Sequence, residues 1–197
     1  ISLGVAVLII VMSVMNGFRT ELVNKIVGFN AHITVKPYEN IIEVDKLEKT
    51  KLKLISKNLM LNNSGEAILI KSDISKGVVL RGYKNKDFSK LEIVNNKNFI
   101  GNKNNLTGNH LSIGKELSFT LDLEIGDTIT IMSSVGVETI VGTLPKQKSF
   151  IVVSLFESGL NDFDNNVAFI NLNTLEEFFN LESKNRNLEV YLKNPKN

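Results

Sequence analysis

A chain of 197 residues with 43% hydrophobic content can bury a core and is too apolar to stay unfolded as a whole. Its 23 basic and 21 acidic residues leave a net charge of +2, too balanced for the concentrated basic face of a nucleic-acid binder. There is no cysteine, which excludes disulfide frameworks, thiolate metal sites and cysteine nucleophiles.

The first element is apolar. From Val5 to Met15 the chain reads VAVLIIVMSVM, and no charge appears before Arg19. A membrane-spanning helix takes about 20 apolar residues, and Ile1 to Met15 supply 15 of them. The run therefore fits either the end of a span, in a fragment of a longer protein, or a buried core helix. The sequel favours the span. After Gly17 the residues Phe18, Leu22 and Ile26 recur every fourth position, with Val23 and Val27 beside them and charges elsewhere, which predicts an amphipathic helix following directly on the apolar one. Gly28 is placed to stop it. "NAHITVKP" then alternates as a strand, with Ala31, Ile33 and Val35 on one face.

Asn40 and Glu43 have capping-box spacing and predict a helix over about 42 to 58. "GEAILIKSD" and "KGVVLRGY" read as two strands with a turn around Ser75. Between Lys84 and Asn109 the chain is rich in Asn and Lys, with Phe88, Leu91, Ile93 and Phe99 as anchors, and marks the boundary of an inserted second unit. Next come a short helix over 113 to 121, a turn at Gly126 and Asp127, and a strand from Thr128 to Met132. "SFIVVSLFES" and "NNVAFINL" are further strands. "NTLEEFFNLE" reads as a helix capped by Asn173, and "NLEVYLK" as a last strand. The elements sum to an α+β fold.

No motif for catalysis survives inspection. "GNHLSIGKE" has five residues between its glycines where a phosphate-binding loop needs four, and Glu116 stands where that loop needs a hydroxyl. Ser112 and Lys115 have the spacing of some acyl-transfer serines but lack the companion motifs. "DFDNN" resembles the start of a calcium loop, yet Val167 and Asn173 occupy its glycine and glutamate positions, which leaves an exposed turn. His32 reads as an outward strand residue and His110 as a loop residue. No metal site and no cofactor is implied.

The segment "VGVETIVGTLPKQK", 135 to 148, is longer than a hairpin turn requires. Val135, Val137, Ile140, Val141 and Leu144 are apolar, Pro145 stiffens the tip, and Lys146 and Lys148 follow. Such a segment can offer an apolar arm to a partner, or both flanking strands can extend into a long hairpin packed on the protein itself.

"VAVLIIVMSVMNGFRTELVNKIVGFNAHITV" resembles the junction between the first transmembrane helix and the periplasmic domain in the LolC/LolE family of lipoprotein-releasing permeases. The similarity continues through "GVVLRG", "LSIGKELSFTLDLEIGDTIT" and "GTLPKQKSFIVVSLFESGLNDFDNNVAFINL". The resemblance implies the end of a transmembrane helix and a membrane-proximal helix over 1 to 28, followed by a MacB-like periplasmic domain. That domain would comprise a Porter-like α/β part (29 to 105 and 173 to 197, C-terminally truncated) with an inserted Sabre-like β part (106 to 172). It further implies an inner-membrane, multi-pass ABC transporter permease. Such a permease extracts lipoproteins and passes them to a periplasmic LolA-like chaperone, working with a LolD-like cytoplasmic ATPase and a second, LolE-like or identical, permease.

In LolC-type members a protruding Hook grips the chaperone. The match implies that role for residues 135 to 148, with Val141, Leu144 and Pro145 in its apolar part and Lys146, Gln147 and Lys148 at its polar base. Lysine here replaces the more usual arginine after the proline, which removes bidentate geometry. Phe18, Leu22 and Ile26 would meet the second permease or departing acyl chains, or pack under the sheet. The runner-up is a MacB-like efflux or peptide-extrusion permease. A membrane-anchored hydrolase using Ser112 and Lys115 is the enzymatic alternative.

Overall fold

The computed structural model describes residues 2–38, 41–47, 50–139 and 142–195, with the side chains of 24, 26–28, 134, 137–139 and 143 outside that description. The chain opens with one continuous helix, α1 (Ser2–Phe29), in place of two successive segments. Neither Gly17 nor Gly28 stops it, because an interior glycine costs only about 1 kcal/mol relative to alanine. Ending one residue later brings Phe29 to 7% exposure. Its ring lies 4.5 Å, centroid to centroid, from that of Phe163.

The helix expected over 42 to 58 is not continuous. Two short helices, α2 (Val44–Leu47) and α3 (Lys51–Ile55), are followed by a strand that begins at Ser56. Thr50 restarts the helix by accepting a hydrogen bond from Leu52 N, and from Ser56 the backbone is claimed by strand pairing. Asn40, the cap expected of that helix, lies outside the described residues.

The remaining elements are β1 (Ile33–Val35), β2 (Ser56–Lys71), β3 (Ile74–Tyr83), α4 (Asn85–Phe88), β4 (Ile100–Gly101), β5 (His110–Gly114), α5 (Lys115–Leu121), β6 (Thr128–Thr139), β7 (Gly142–Phe156), α6 (Asn161–Asn166), β8 (Val167–Asn171), α7 (Leu172–Phe179) and β9 (Asn187–Leu192). The β2–β3 turn sits at 72 and 73, ahead of Ser75, with Ser72 in the left-handed region at φ 51. The expected helix at 113 begins instead at Lys115, because 110 to 114 pair with β7 and β8. The cap of α7 is Asn171, whose Oδ1 accepts from Asn173 N, so Asn173 is a helical residue. "DFDNN" is helix α6 and not an exposed turn, and its Asp164 is buried.

The sheet closes on itself. β2 pairs antiparallel with β3, β3 parallel with β8, β8 antiparallel with β5, β5 parallel with β7, β7 antiparallel with β6, and β6 returns to β2 through Ala67↔Ser133 to Ile70↔Thr130. Each of the six strands contributes two residues, two apart, to one apolar cluster. Leu69, Leu80, Ile113, Ile131, Phe150 and Ile170 are among them. This is the alternation of a pleated strand with one face turned inward. α5 and α7 cap the cluster with Leu117, Leu121, Leu175 and Phe178. The near half of β2 pairs with β9, and β9 with the edge strand β1.

A second cluster on the other face gathers Tyr83, Phe88, Leu106, Phe156, Phe169 and Phe29. The Asn- and Lys-rich segment is held there by Phe88, Leu91 and Ile93, with Phe99 packed against Phe88.

Candidate docking hairpin and its anchors

β6 and β7 stay paired from Thr128↔Ile151 out to Thr139↔Gly142. The connection read as a 14-residue segment is thus mostly ladder, as in the extended-hairpin alternative. The arm is long because both strands outrun their other neighbours. β6 leaves β2 after Ser133, and β7 meets β5 only from Ile151 onward. Beyond those points, among the described residues, no third strand lies beside the pair. Gly142, at φ +120, takes a backbone conformation that a side chain would resist. Pro145, opposite Gly136, is tolerated because the arm has a free edge.

Several apolar residues of the arm stand in solvent. Leu144 is 55% exposed, and Val135 and Pro145 are exposed as well. Gln147 is exposed, and its Nε2 lies 3.6 Å from Met132 Sδ. Val141, carried over as part of the arm's apolar part, lies outside the described residues with Ile140. Leu144 and Pro145 do not form the tip: they sit in β7 opposite Val137 and Gly136, and the ladder continues past them to Thr139↔Gly142. Lys146 Nζ donates to the Glu177 carbonyl at 2.6 Å and to Asn180 Oδ1 at 3.2 Å. Lys148 Nζ comes within 4.0 Å of Glu177 Oε2. Both lysines therefore face the C-terminal turn of α7.

At the opposite end of β7, Phe156 stacks edge-on to Phe163 at 6.1 Å, and Phe163 in turn packs on Phe29 of α1. One strand therefore runs from the arm's tip to the helix junction. Above that junction Ser2–Val23 is long and apolar enough to cross a membrane, and no residue of its most apolar stretch is buried. Phe18 is exposed and Leu22 half-buried, while the side chain of Ile26 is outside the described set. Lys25 pairs with Glu21 at 3.3 Å and lies over Gly159.

The loop beneath Lys25 is fixed by Asp164, whose two oxygens accept from Ser158 N at 3.0 Å. Burial pushes that carboxyl above its ordinary range, against the pull of the Ser158 and Gly159 hydrogen bonds.

Residues weighed for chemistry are buried or bonded within the fold. Ser112 is buried, and Lys115 Nζ points to Glu157 at 3.3 Å. His32 Nδ1 accepts from Leu192 N at 2.9 Å, and His110 Nδ1 lies 2.7 Å from the Asn105 carbonyl at the start of β5. Sequence reasoning missed Phe29, Asp164, Glu177 and Asn180. An aromatic just past the glycine stop, and an asparagine directly after "EEFF" where a left-handed cap belongs, were the available signals.

The chain matches the family of MacB-like periplasmic core domains over residues 1–197. It is 27% identical over 188 residues to the lipoprotein-releasing system transmembrane protein LolC of Xylella fastidiosa, covering 92% of this chain and 45% of that protein. It is 27% identical over 209 residues to the LolC of Neisseria meningitidis serogroup B, covering 100% of this chain and 48% of that one. The chain thus spans about half the length of these relatives.

Among solved structures, the periplasmic region of MacB from Actinobacillus actinomycetemcomitans aligns with a TM-score of 0.54 at 11% identity, covering 86% of this chain and 78% of that one. A domain of a putative permease from Porphyromonas gingivalis aligns with a TM-score of 0.51 at 11% identity, covering 84% and 77%. The shared property is the fold.

Proposed function

Because the chain belongs to the family of MacB-like periplasmic core domains, we propose that it forms the periplasmic part of a LolC-type permease subunit, and that its β6–β7 arm docks a periplasmic lipoprotein chaperone of LolA type. The observation that carries this reading is an apolar pair, Leu144 and Pro145, exposed on a two-stranded arm that outruns the rest of the sheet, on a strand whose other end abuts the base of α1. β7 has 15 residues, and at about 3.3 Å per residue they amount to up to about 46 Å of strand from the membrane-side junction to the tip. That reach suits delivery to a soluble carrier.

Lipoprotein release explains the parts together. Each methylene of an acyl anchor drawn from the bilayer costs about 0.8 kcal/mol, so extraction needs an external energy source and an apolar destination. ATP hydrolysis in a separate cytoplasmic subunit supplies the first, and the chaperone cavity docked at the tip supplies the second. α1 spans the inner membrane, and Phe18, Leu22 and Ile26 face a second permease copy or the departing acyl chains. The same reading divides the domain into a Porter-like part (29–105 and 173–197) and an inserted Sabre-like part (106–172).

The test is chaperone binding to the full-length transporter in nanodiscs, measured by biolayer interferometry. Leu144→Asp places a charge where the cavity should close over apolar surface, and an affinity loss of at least about tenfold is expected, since desolvating an unpaired charge costs more than 1.4 kcal/mol. Unchanged binding would favour the runner-up, a MacB-like efflux or peptide-extrusion permease.

A further inference from the structure

The arm leaves the body of the protein at an irregularity. Met132 pairs with Gln147 and Gly136 with Pro145, so residues 133 to 135 of β6 stand opposite the single residue Lys146 of β7. Such bulges bend a ladder and re-aim what lies beyond them. This one sits where β6 parts from β2, whose last partner on β6 is Ser133. The Ser133 hydroxyl accepts from Val135 N at 3.0 Å and closes the bulge on its own strand. Across from it, the side chain of Lys146 does not point to solvent.

Lys146 reaches the end of α7, donating to the Glu177 carbonyl and to Asn180 Oδ1. The last carbonyls of a helix lack intrahelical partners and carry partial negative charge, so an ammonium there satisfies and neutralises them at once. Asn180 itself is held in the left-handed region at φ 55, with its backbone N–H on the Glu176 carbonyl. α7 cannot give way easily, because Leu175 and Phe178 are buried in the ring's core. A rigid acceptor pair thus holds the one residue opposite the bend.

We infer that Lys146 is a positioning residue, latching the base of the docking arm to the C-terminus of α7 and so fixing the arm's direction, with its charge spent inside the molecule and not offered to the partner. The role in docking rests on the chaperone-binding reading of the arm, whereas the latch itself does not. Lys148 adds a weaker contact to the Glu177 carboxylate. A latched arm meets its partner in one orientation, and an unlatched one is competent only for the fraction of time it points correctly, which weakens apparent affinity by that fraction.

The experiment uses the full-length transporter in nanodiscs without chaperone, spin-labelled at positions 144 and 97. The labelling cysteines are introduced into a full-length transporter whose other cysteines have been replaced; the 197 residues here contain none. Pulsed dipolar spectroscopy should give one narrow distance distribution for the parent, at least twofold broader for Lys146→Ala, and restored for Lys146→Arg. Asn180→Gly keeps the left-handed helix stop, removes one acceptor, and should broaden the distribution less. On unlabelled proteins, chaperone affinity should fall about fivefold in Lys146→Ala and recover in Lys146→Arg.

An unchanged distribution in Lys146→Ala overturns the latch, and lost affinity with an unchanged distribution makes Lys146 a partner contact instead. A broadened distribution together with chaperone binding indifferent to Leu144→Asp leaves the latch standing and removes the docking role.

Discussion

Glu189 sits at 2% exposure, and its charge is held by four donors. Arg81 Nη2 and Asn62 Nδ2 approach Oε1, and Tyr83 and Tyr191 hydroxyls donate to Oε2 at 2.7 and 3.1 Å. Burial works against the Arg81 charge, but Tyr83, Glu189 and Tyr191 around it more than offset that, so its pKa ends above the ordinary value. Burial likewise pushes the Tyr83 and Tyr191 hydroxyls up, which keeps them neutral donors. Removing the acceptor strands a buried guanidinium. Glu189→Ala should therefore cost about 3–5 kcal/mol in chemical denaturation. A loss under about 1 kcal/mol would mean that water reaches Arg81 freely.

Asp164 is the opposite case, a carboxyl whose ionised form is penalised by burial. Its pKa in the folded state lies above that of the unfolded chain, so the native protein binds the extra proton. The carboxyl's contribution to stability is then fully present below the unfolded carboxylate pKa and is lost as pH rises through the folded value. Asp164→Asn keeps one oxygen for Ser158 N and should flatten that decline in thermal melts of the solubilised protein across pH 3 to 8. A parallel slope in both proteins would assign the pH dependence elsewhere.

Among the elements, strand β5 and helix α5 meet at Gly114, where a Cβ would come within van der Waals overlap of the Asp164 backbone carbonyl. α6 can lie against that junction only because the position has no side chain. Gly114→Ala should force α6 away and destabilise by about 1–3 kcal/mol or more, as overpacking does. It should also loosen the Ser158 loop that Asp164 holds, visible as faster amide exchange there. Unchanged exchange would show that α6 moves without cost.

Five of the ring's six strands were legible because pleated alternation survives any context: Ile129 and Ile131, or Val78 and Leu80, announce an inward face by spacing alone. The sixth, β5, was not, because Ile113 read as the start of a helix until β7 and β8 supplied its partners. What failed were boundaries decided by distant partners. Residues 56 to 58 look helical until β9 supplies Leu192 and Tyr191 to pair with. The reach of β6 past Met132 depends on β7 and not on its own pattern. Of the candidate site, the apolar arm was visible in composition. The Lys146 contact with α7 was not, because it joins residues 31 and 34 positions apart through a fold the sequence does not print.

Taken whole, the molecule is a closed six-stranded ring with two opposed projections. α1, 28 residues and about 42 Å long at about 1.5 Å per residue, leaves it at the Phe29–Phe163–Phe156 contact. The β6–β7 arm leaves it at the bulge. β7 belongs to both ends, so a displacement of α1 reaches the arm's base through one strand and its packed aromatics without crossing a loop. This geometry suits a permease that converts movement at the membrane into presentation of cargo to a soluble carrier.

Docking of the arm in a chaperone is tested by photo-crosslinking from a benzoylphenylalanine at position 144 in the full-length transporter, with purified LolA-type chaperone and a Val135-to-Lys148 deletion as control. A docked arm gives a crosslinked product of transporter plus chaperone, mapped to the lining of the chaperone's lipid cavity and absent in the deletion. No crosslink from a folded complex with ATPase activity intact would rule that docking out.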